Sequence, residues 1–200
     1  MGLRTLPAGK NIRLFDNQWL ERLTYVHPIL PIAVWGPVVV LCFAVGLYQH
    51  LLSLSLSLGL ALVGLFFWTF AEYVLHRYVF HFHPRGRIQE RIAFLIHGIH
   101  HDDPHDARRL LMPPVAAILI AAFFYALFLL VLGPVRCNPF FAGFITGYLC
   151  YDYIHFITHF VPVKHPWLKQ LKANHMRHHF STPDLRYGVS SPLWDRVFKT

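Results

Sequence analysis

The chain has 200 residues, 55% of them hydrophobic and only 14% charged, with a mean hydropathy of +0.41. Soluble domains carry roughly 25% charged residues, so this composition excludes a water-covered globule and points to a membrane protein. The net charge of +8 comes from basic residues that flank apolar stretches instead of gathering on one arm or helix face. No nucleic-acid partner is therefore expected.

Residues 1–28 are mixed polar, show no signal-peptide cleavage pattern, and read as a cytosolic N-terminal segment. No Lys, Arg, Asp or Glu occurs between Ile29 and Ala71. About 20 residues cross a bilayer core, so 29–71 predicts a helical hairpin. Its spans are Pro31–Tyr48, kinked at Pro37, and Leu51–Phe70, with the turn at Tyr48-Gln49-His50. Residues 72–112 form a polar, basic, histidine-rich cytosolic segment. The second helical pair follows over 113–160. Val115–Leu132 is entered through Pro113-Pro114 and closed by Gly133-Pro134; the second span is opened by Asn138-Pro139 and runs from about Phe140 to Phe160. That last span carries Asp152, His155 and His159, and ionisable groups at membrane depth suggest function. Residues 161–200 form a histidine-rich cytosolic tail. Cys42, Cys137 and Cys150 are isolated and support neither a disulfide framework nor a thiolate site.

Lys and Arg number 4 before the first span, 6 in 77–112 and 7 after 160, against none at 48–52 and 1 in 133–139. The positive-inside rule then places both termini and 77–112 in the cytoplasm. The expected architecture is an all-α, single-domain, multi-pass membrane protein over 1–200, with about four spans and a cytosolic histidine-rich helical cap.

The chain has 15 histidines, and ten stand in four groups: His76-x4-His81, His97-x2-His100-His101, His155-x3-His159 and His175-x2-His178-His179. Imidazole is the commonest protein metal ligand at neutral pH. Helical residues three or four apart share a face, so His155 and His159 can point to one centre. Each H-x2-H-H group sets its first histidine beside the last two. His76 and His81 would diverge by about 140° on an ideal helix, which implies a helix end, a bulge or different metals. His27, His50, His83, His105 and His165 fit none of the groups and read as ordinary hydrogen-bonded side chains. Ten ligands exceed the four of a structural zinc, so two metals of higher coordination are expected. Nitrogen ligation favours Zn, Cu, Fe or Ni over Mg or Ca. Glu72 and Asp152 precede His76 and His155 by a turn. They read as imidazole-orienting carboxylates, with direct ligation or helix capping as alternatives.

These four sets, in this order and on four spans, resemble the fatty acid hydroxylase/sterol desaturase superfamily. The stretch Glu72-Tyr-Val-Leu-His76-Arg-Tyr-Val-Phe-His81 is similar to its fatty acid 2-hydroxylase branch. So are His97-Gly98-x-His100-His101 with Pro104, Asp106, Arg109 and Pro113-Pro114, and Tyr151-Asp152-x2-His155-x3-His159. Leu171-Lys-Ala-x-His175-x2-His178-His179-Phe180, Gly188-x-Ser190 and Leu193-Trp194-Asp195 continue the match. The resemblance is detailed over 70–200.

It implies a di-iron monooxygenase, with zinc possible on isolation, using O2 as co-substrate to hydroxylate carbon 2 of a long acyl chain. All ten grouped histidines become ligands, supported by Glu72, Asp152 and Asp106. Arg77, Arg108, Arg109 and Tyr151 are candidates for the lipid head group or membrane surface, although solvated charge explains the arginines as well. Many members carry a fused cytochrome b5 domain. Residues 1–28 are too short for one, and no Gly-rich nucleotide fingerprint occurs. A separate electron donor of cytochrome b5 or ferredoxin type, with its reductase, is therefore expected. The home membrane would be the bacterial inner membrane or the endoplasmic reticulum, with the active site on the cytoplasmic side. Rival readings are hydroxylation of a sterol, long-chain base or carotenoid, or a non-enzymatic metal- or haem-binding membrane protein.

Overall fold

A computed structural model describes residues 9–10, 12–48 and 52–200. Its α-helices are α1 (Gln18–Leu23), α2 (Ile29–Tyr48), α3 (Leu54–Val74), α4 (Arg87–Ala93), α5 (Ile99–Asp102), α6 (Pro114–Phe160), α7 (Pro166–Phe180) and α8 (Leu193–Phe198). Two π-helical turns interrupt them, Leu75–Phe80 after α3 and Phe94–Gly98 before α5. No strand occurs among the described residues. The chain divides into two compact units. An apolar unit takes 29–70 and 114–150, and a histidine unit takes 1–28, 71–113 and 151–200. Three division points fall beside the expected segment edges. The fourth, at 150/151, does not: the last turns of the fourth span, with Asp152, His155 and His159, belong to the histidine unit.

Ile29–Tyr48, Leu54–Phe80 and Pro114–Phe160 are long and apolar enough to cross a membrane. The third is two arms, because Gly133 breaks it at φ 73° and ψ 169°, a region essentially reserved for glycine. Four apolar arms result, as expected, with two corrections to their limits. The fourth begins at Pro134, so Asn138-Pro139 lies within it. The Asn138 amide donates to the Pro134 carbonyl (3.2 Å) and accepts from the Tyr125 hydroxyl (3.1 Å). The second begins at Leu54, where the Ser53 hydroxyl accepts the Leu56 N–H (3.2 Å) as a cap, and it runs on to Phe80. The expected turn at Tyr48-Gln49-His50 lies, beyond Tyr48, outside the described residues.

Rings fill the apolar unit. Phe67 meets Phe128, Phe140 and Phe144 at centroid distances of 5.7, 5.9 and 6.3 Å, and Trp68 meets Phe144 and Tyr148 at 5.1 and 5.4 Å. Small residues let the backbones approach, as in other apolar helix pairs. A Cβ on Gly143 would lie 1.8 Å from the Ala61 carbonyl oxygen.

In the histidine unit, α1 is capped by the Asn17 side chain, which accepts from Trp19 N–H (2.8 Å) and Leu20 N–H (3.3 Å). The segment before and after α1 is tied to residues 103–109. Val26 N–H donates to the Arg108 carbonyl (2.7 Å). The buried Arg109 guanidinium donates to Glu21, the Ile12 carbonyl, the Tyr25 hydroxyl (3.1 Å) and the Thr24 hydroxyl (3.2 Å).

Candidate metal centre

The ten grouped histidines meet in the histidine unit as two sets of five. His76, His81, His97, His101 and His178 form the first cluster; His100, His155, His159, His175 and His179 form the second. Within each set the ring nitrogens that could serve as ligands all lie within 4.8 Å of one another. His27, His83, His105 and His165 enter neither.

Local helix geometry explains this sorting. The first π-helical turn closes with the His81 N–H on the His76 carbonyl (3.1 Å), an i→i+5 bond. That widened turn stacks His81 one turn beyond His76, so the five-residue spacing converges on one centre. The H-x2-H-H groups behave differently from the expectation that the first histidine sits with both of the last two. In each, the first and last share a cluster, while the middle one crosses to the other. His97 and His101 are 3.1 Å apart at Nε2, as are His175 and His179. His100 meets His155 at 3.0 Å, and His178 meets His81 at 3.0 Å. The physical reason is the i,i+4 period: adjacent residues must diverge by about 100°. The clusters share a wall, where the His101 and His179 rings stack with centroids 4.2 Å apart.

The donor set fits metal ions. Close Nε2···Nε2 approaches run from 2.8 Å (His159–His175) to 3.1 Å (His76–His97). Two nitrogens bound at about 2.1 Å and at right angles would lie about 3.0 Å apart, against about 3.4 Å in a tetrahedron. The observed spacing is that of nitrogens gathered about a common centre that could hold an ion. Tautomers agree: the Nδ1–H of His76 donates to the Tyr187 carbonyl (2.6 Å) and that of His178 to the Leu185 carbonyl (2.7 Å). Their Nε2 lone pairs are thereby free to face the centre. Burial, then the neighbouring His178, pushes His81 down to about 4 and His101 to about 3. Burial and neighbouring imidazoles hold His97, His100 and His175 well below the usual histidine range. Neutral imidazoles are what a cation needs.

Two of the expected supporting residues, Glu72 and Asp106, bond groups other than the imidazoles. Glu72 is buried, but its carboxylate accepts from Val189 N–H (2.7 Å), Ser190 N–H (2.8 Å) and the Ser190 hydroxyl. It braces a loop instead of bonding an imidazole directly. Asp106 is paired with Arg108 through Nε (2.8 Å) and Nη2 (3.0 Å), which closes its own turn. With Arg109 bound to Glu21, two of the three arginines expected at a head group or membrane surface are bonded to protein partners. Arg77 donates to the Tyr73 hydroxyl (2.6 Å). Asp152 and Tyr151 are buried, and the Tyr151 ring lies 5.7 Å from that of His155. Spacing along the sequence assigns no site role to Asp195. It is buried and accepts from Tyr187 N–H (2.8 Å), Gly188 N–H (2.9 Å) and the Thr200 hydroxyl (3.2 Å). Only its place in the Leu193-Trp194-Asp195 resemblance hinted at it, because nothing in its spacing relates it to a histidine.

Residues 61–200 match the fatty acid hydroxylase family model. The chain is 36% identical over 197 residues to dihydroceramide fatty acyl 2-hydroxylase FAH1 of Arabidopsis thaliana, covering 94% of this chain and 79% of that protein. It is 36% identical to fatty acid 2-hydroxylase of Mus musculus, with 97% of this chain and 58% of the relative covered. Ceramide very long chain fatty acid hydroxylase SCS7 of Saccharomyces cerevisiae is 39% identical, with 94% and 48% covered. The chain thus spans most of the plant relative but only about half of the mouse and yeast ones. A solved structure of full-length scs7p, in which only the hydroxylase domain is visible, superposes with a TM-score of 0.86 at 39% identity. That match covers 93% of this chain and 70% of the other. With the histidine geometry, the family model and these relatives in agreement, the chain belongs to the fatty acid hydroxylase family.

Proposed function

We propose that this protein hydroxylates carbon 2 of a long acyl chain, free or in ceramide, with O2 as co-substrate and two histidine-held iron ions. The observation that carries this reading is the pair of adjoining five-histidine clusters in a chain similar to fatty acyl 2-hydroxylases. All ten grouped histidines act as ligands. The metals, when bound, supply the oxidising power toward an unactivated C–H bond that no side chain possesses. The chain's own residues do the rest. The carbonyls of Tyr187 and Leu185 hold the Nδ1 protons of His76 and His178, so their Nε2 atoms stay deprotonated and aimed. Burial keeps the imidazoles neutral until a cation arrives.

The apolar helices provide a lipid-compatible surface for the acyl chain. Carbon 2 would be selected by anchoring of the head group, since the methylenes of a chain differ little in chemistry. Electrons come from a separate donor of cytochrome b5 or ferredoxin type. The Lys and Arg distribution supports an active site on the cytoplasmic side, in the endoplasmic reticulum or a bacterial inner membrane.

The test is lipid mass spectrometry of cells making the chain or its His178→Ala variant under 18O2. Label on carbon 2, absent in the variant, supports the proposal. A new hydroxyl on a sterol, long-chain base or carotenoid overturns the substrate assignment. No oxidised lipid from a two-metal sample supplied with a working donor overturns the enzymatic reading.

A further inference from the structure

Four consecutive backbone N–H groups, from Tyr187 to Ser190, end on two buried carboxylates. Asp195 takes those of Tyr187 and Gly188, and Glu72 takes those of Val189 and Ser190. The loop is thus pinned at every residue from 187 to 190. Its conformation is forced: Arg186 is left-handed at φ 66°, and a Cβ on Gly188 would lie 2.1 Å from the Ser191 carbonyl oxygen. The carbonyls of this same loop, Tyr187 and Leu185, receive the Nδ1 protons of His76 and His178. Both histidines belong to the first cluster. The second cluster has no such bracing from this loop. The His159 ring bonds the Pro104 carbonyl, and the Nδ1 atoms of His155, His175 and His179 are buried without a hydrogen-bond partner among the described residues.

We infer that Asp195 and Glu72 are positioning residues for the first cluster alone, so the two metal positions are unequal in how they are held. The carboxylates fix the loop, and the loop fixes the tautomer and ring orientation of His76 and His178. Neither carboxylate bonds a histidine directly. Loosening the clamp therefore weakens the first position and leaves the second intact. This rests on the reading that both clusters bind metal.

The experiment uses the full chain in detergent micelles, loaded with ferrous iron or zinc, and measures metal per chain during titration with a chelator. The unaltered protein holds two ions. Asp195→Asn replaces one accepting oxygen with an amide that faces a backbone donor. It is expected to release one of its two ions at about 10–100-fold lower chelator concentration, the usual effect of an outer-shell change, while the second ion is retained as before. Glu72→Gln is expected to do the same. Asp106→Asn, a buried carboxylate of the same unit paired with Arg108, serves as the control: it lowers the melting temperature without separating the two release steps. Equal loss of both ions in Asp195→Asn and Glu72→Gln, or loss of neither, overturns the inference. An unaltered protein that holds no metal overturns the metal reading beneath it and is recognised before any variant is made.

Discussion

In the apolar unit the contacts are between rings and bare backbone: Phe67 and Trp68 sit among Phe128, Phe144 and Tyr148, and Gly143 lies against Ala61. A buried polar network, set among apolar side chains such as Tyr73, Leu111 and Leu171, marks the histidine unit. Every buried polar or charged side chain among the described residues belongs to it, except Ser57. Non-directional packing tolerates substitutions that conserve volume. A buried polar network does not, because a group left without its partner keeps its full desolvation cost. The apolar unit should therefore respond to shape and the histidine unit to chemistry.

The largest effect separating them is functional. His178→Ala should abolish the hydroxylated product and remove one metal per chain, read by lipid mass spectrometry and metal analysis. A truncation in the core of the other unit, Phe128→Leu, should leave metal content at the level of the unaltered chain. Next is steric. Gly143→Val places atoms against the Ala61 backbone and should cost about 3 kcal/mol or more, seen as a lost or sharply lowered melting transition in detergent. In the histidine unit the comparable stability test is Glu21→Gln, which leaves the buried Arg109 without its anion. A cost of about 2 kcal/mol is expected, and Arg109→Met with Glu21→Gln should recover part of it.

Gly133→Ala is milder. Nothing lies near the added Cβ, so only the φ of 73° is strained, at about 1–2 kcal/mol by thermal melting. Smallest is a pH effect. Burial raises the Glu21 carboxyl, but the N–H groups of Phe15 and Leu14 and the Arg109 charge outweigh it, and the net shift is downward from 4.5. A carboxyl lowered in the folded state adds stability above its unfolded pKa, and loses it as pH falls through the folded value. The gap in stability between the unaltered chain and Glu21→Gln should shrink below about pH 4.5, while a gap that widens would reverse the sign.

Much of this architecture is visible in the residues. Hydropathy alone marks the apolar arms, and Gly133-Pro134 marks their break, because a non-donating ring after a left-handed glycine stops one helix and starts another. The limits are less visible. The second arm runs on to Phe80 through a segment rich in polar groups, since tertiary partners accept Glu72 and His76 where hydropathy would end the span. Arg108, Arg109 and Asp106 look available for a ligand. They are spent on one another and on residues 12–25, distant in sequence, and long-range pairing leaves no periodic trace.

Residue type and spacing by themselves determined that this chain is helical, apolar in four arms and supplied with ten grouped imidazoles. Those properties are local, set by side-chain chemistry and the period of a helix. Which histidine joins which cluster was decided only by the fold. A π-helical turn brings His76 and His81 together, and the two H-x2-H-H groups each send their middle member across. The place of Asp195 was likewise decided in three dimensions, because it meets His76 only through the backbone of the loop whose Tyr187 and Gly188 N–H groups it accepts.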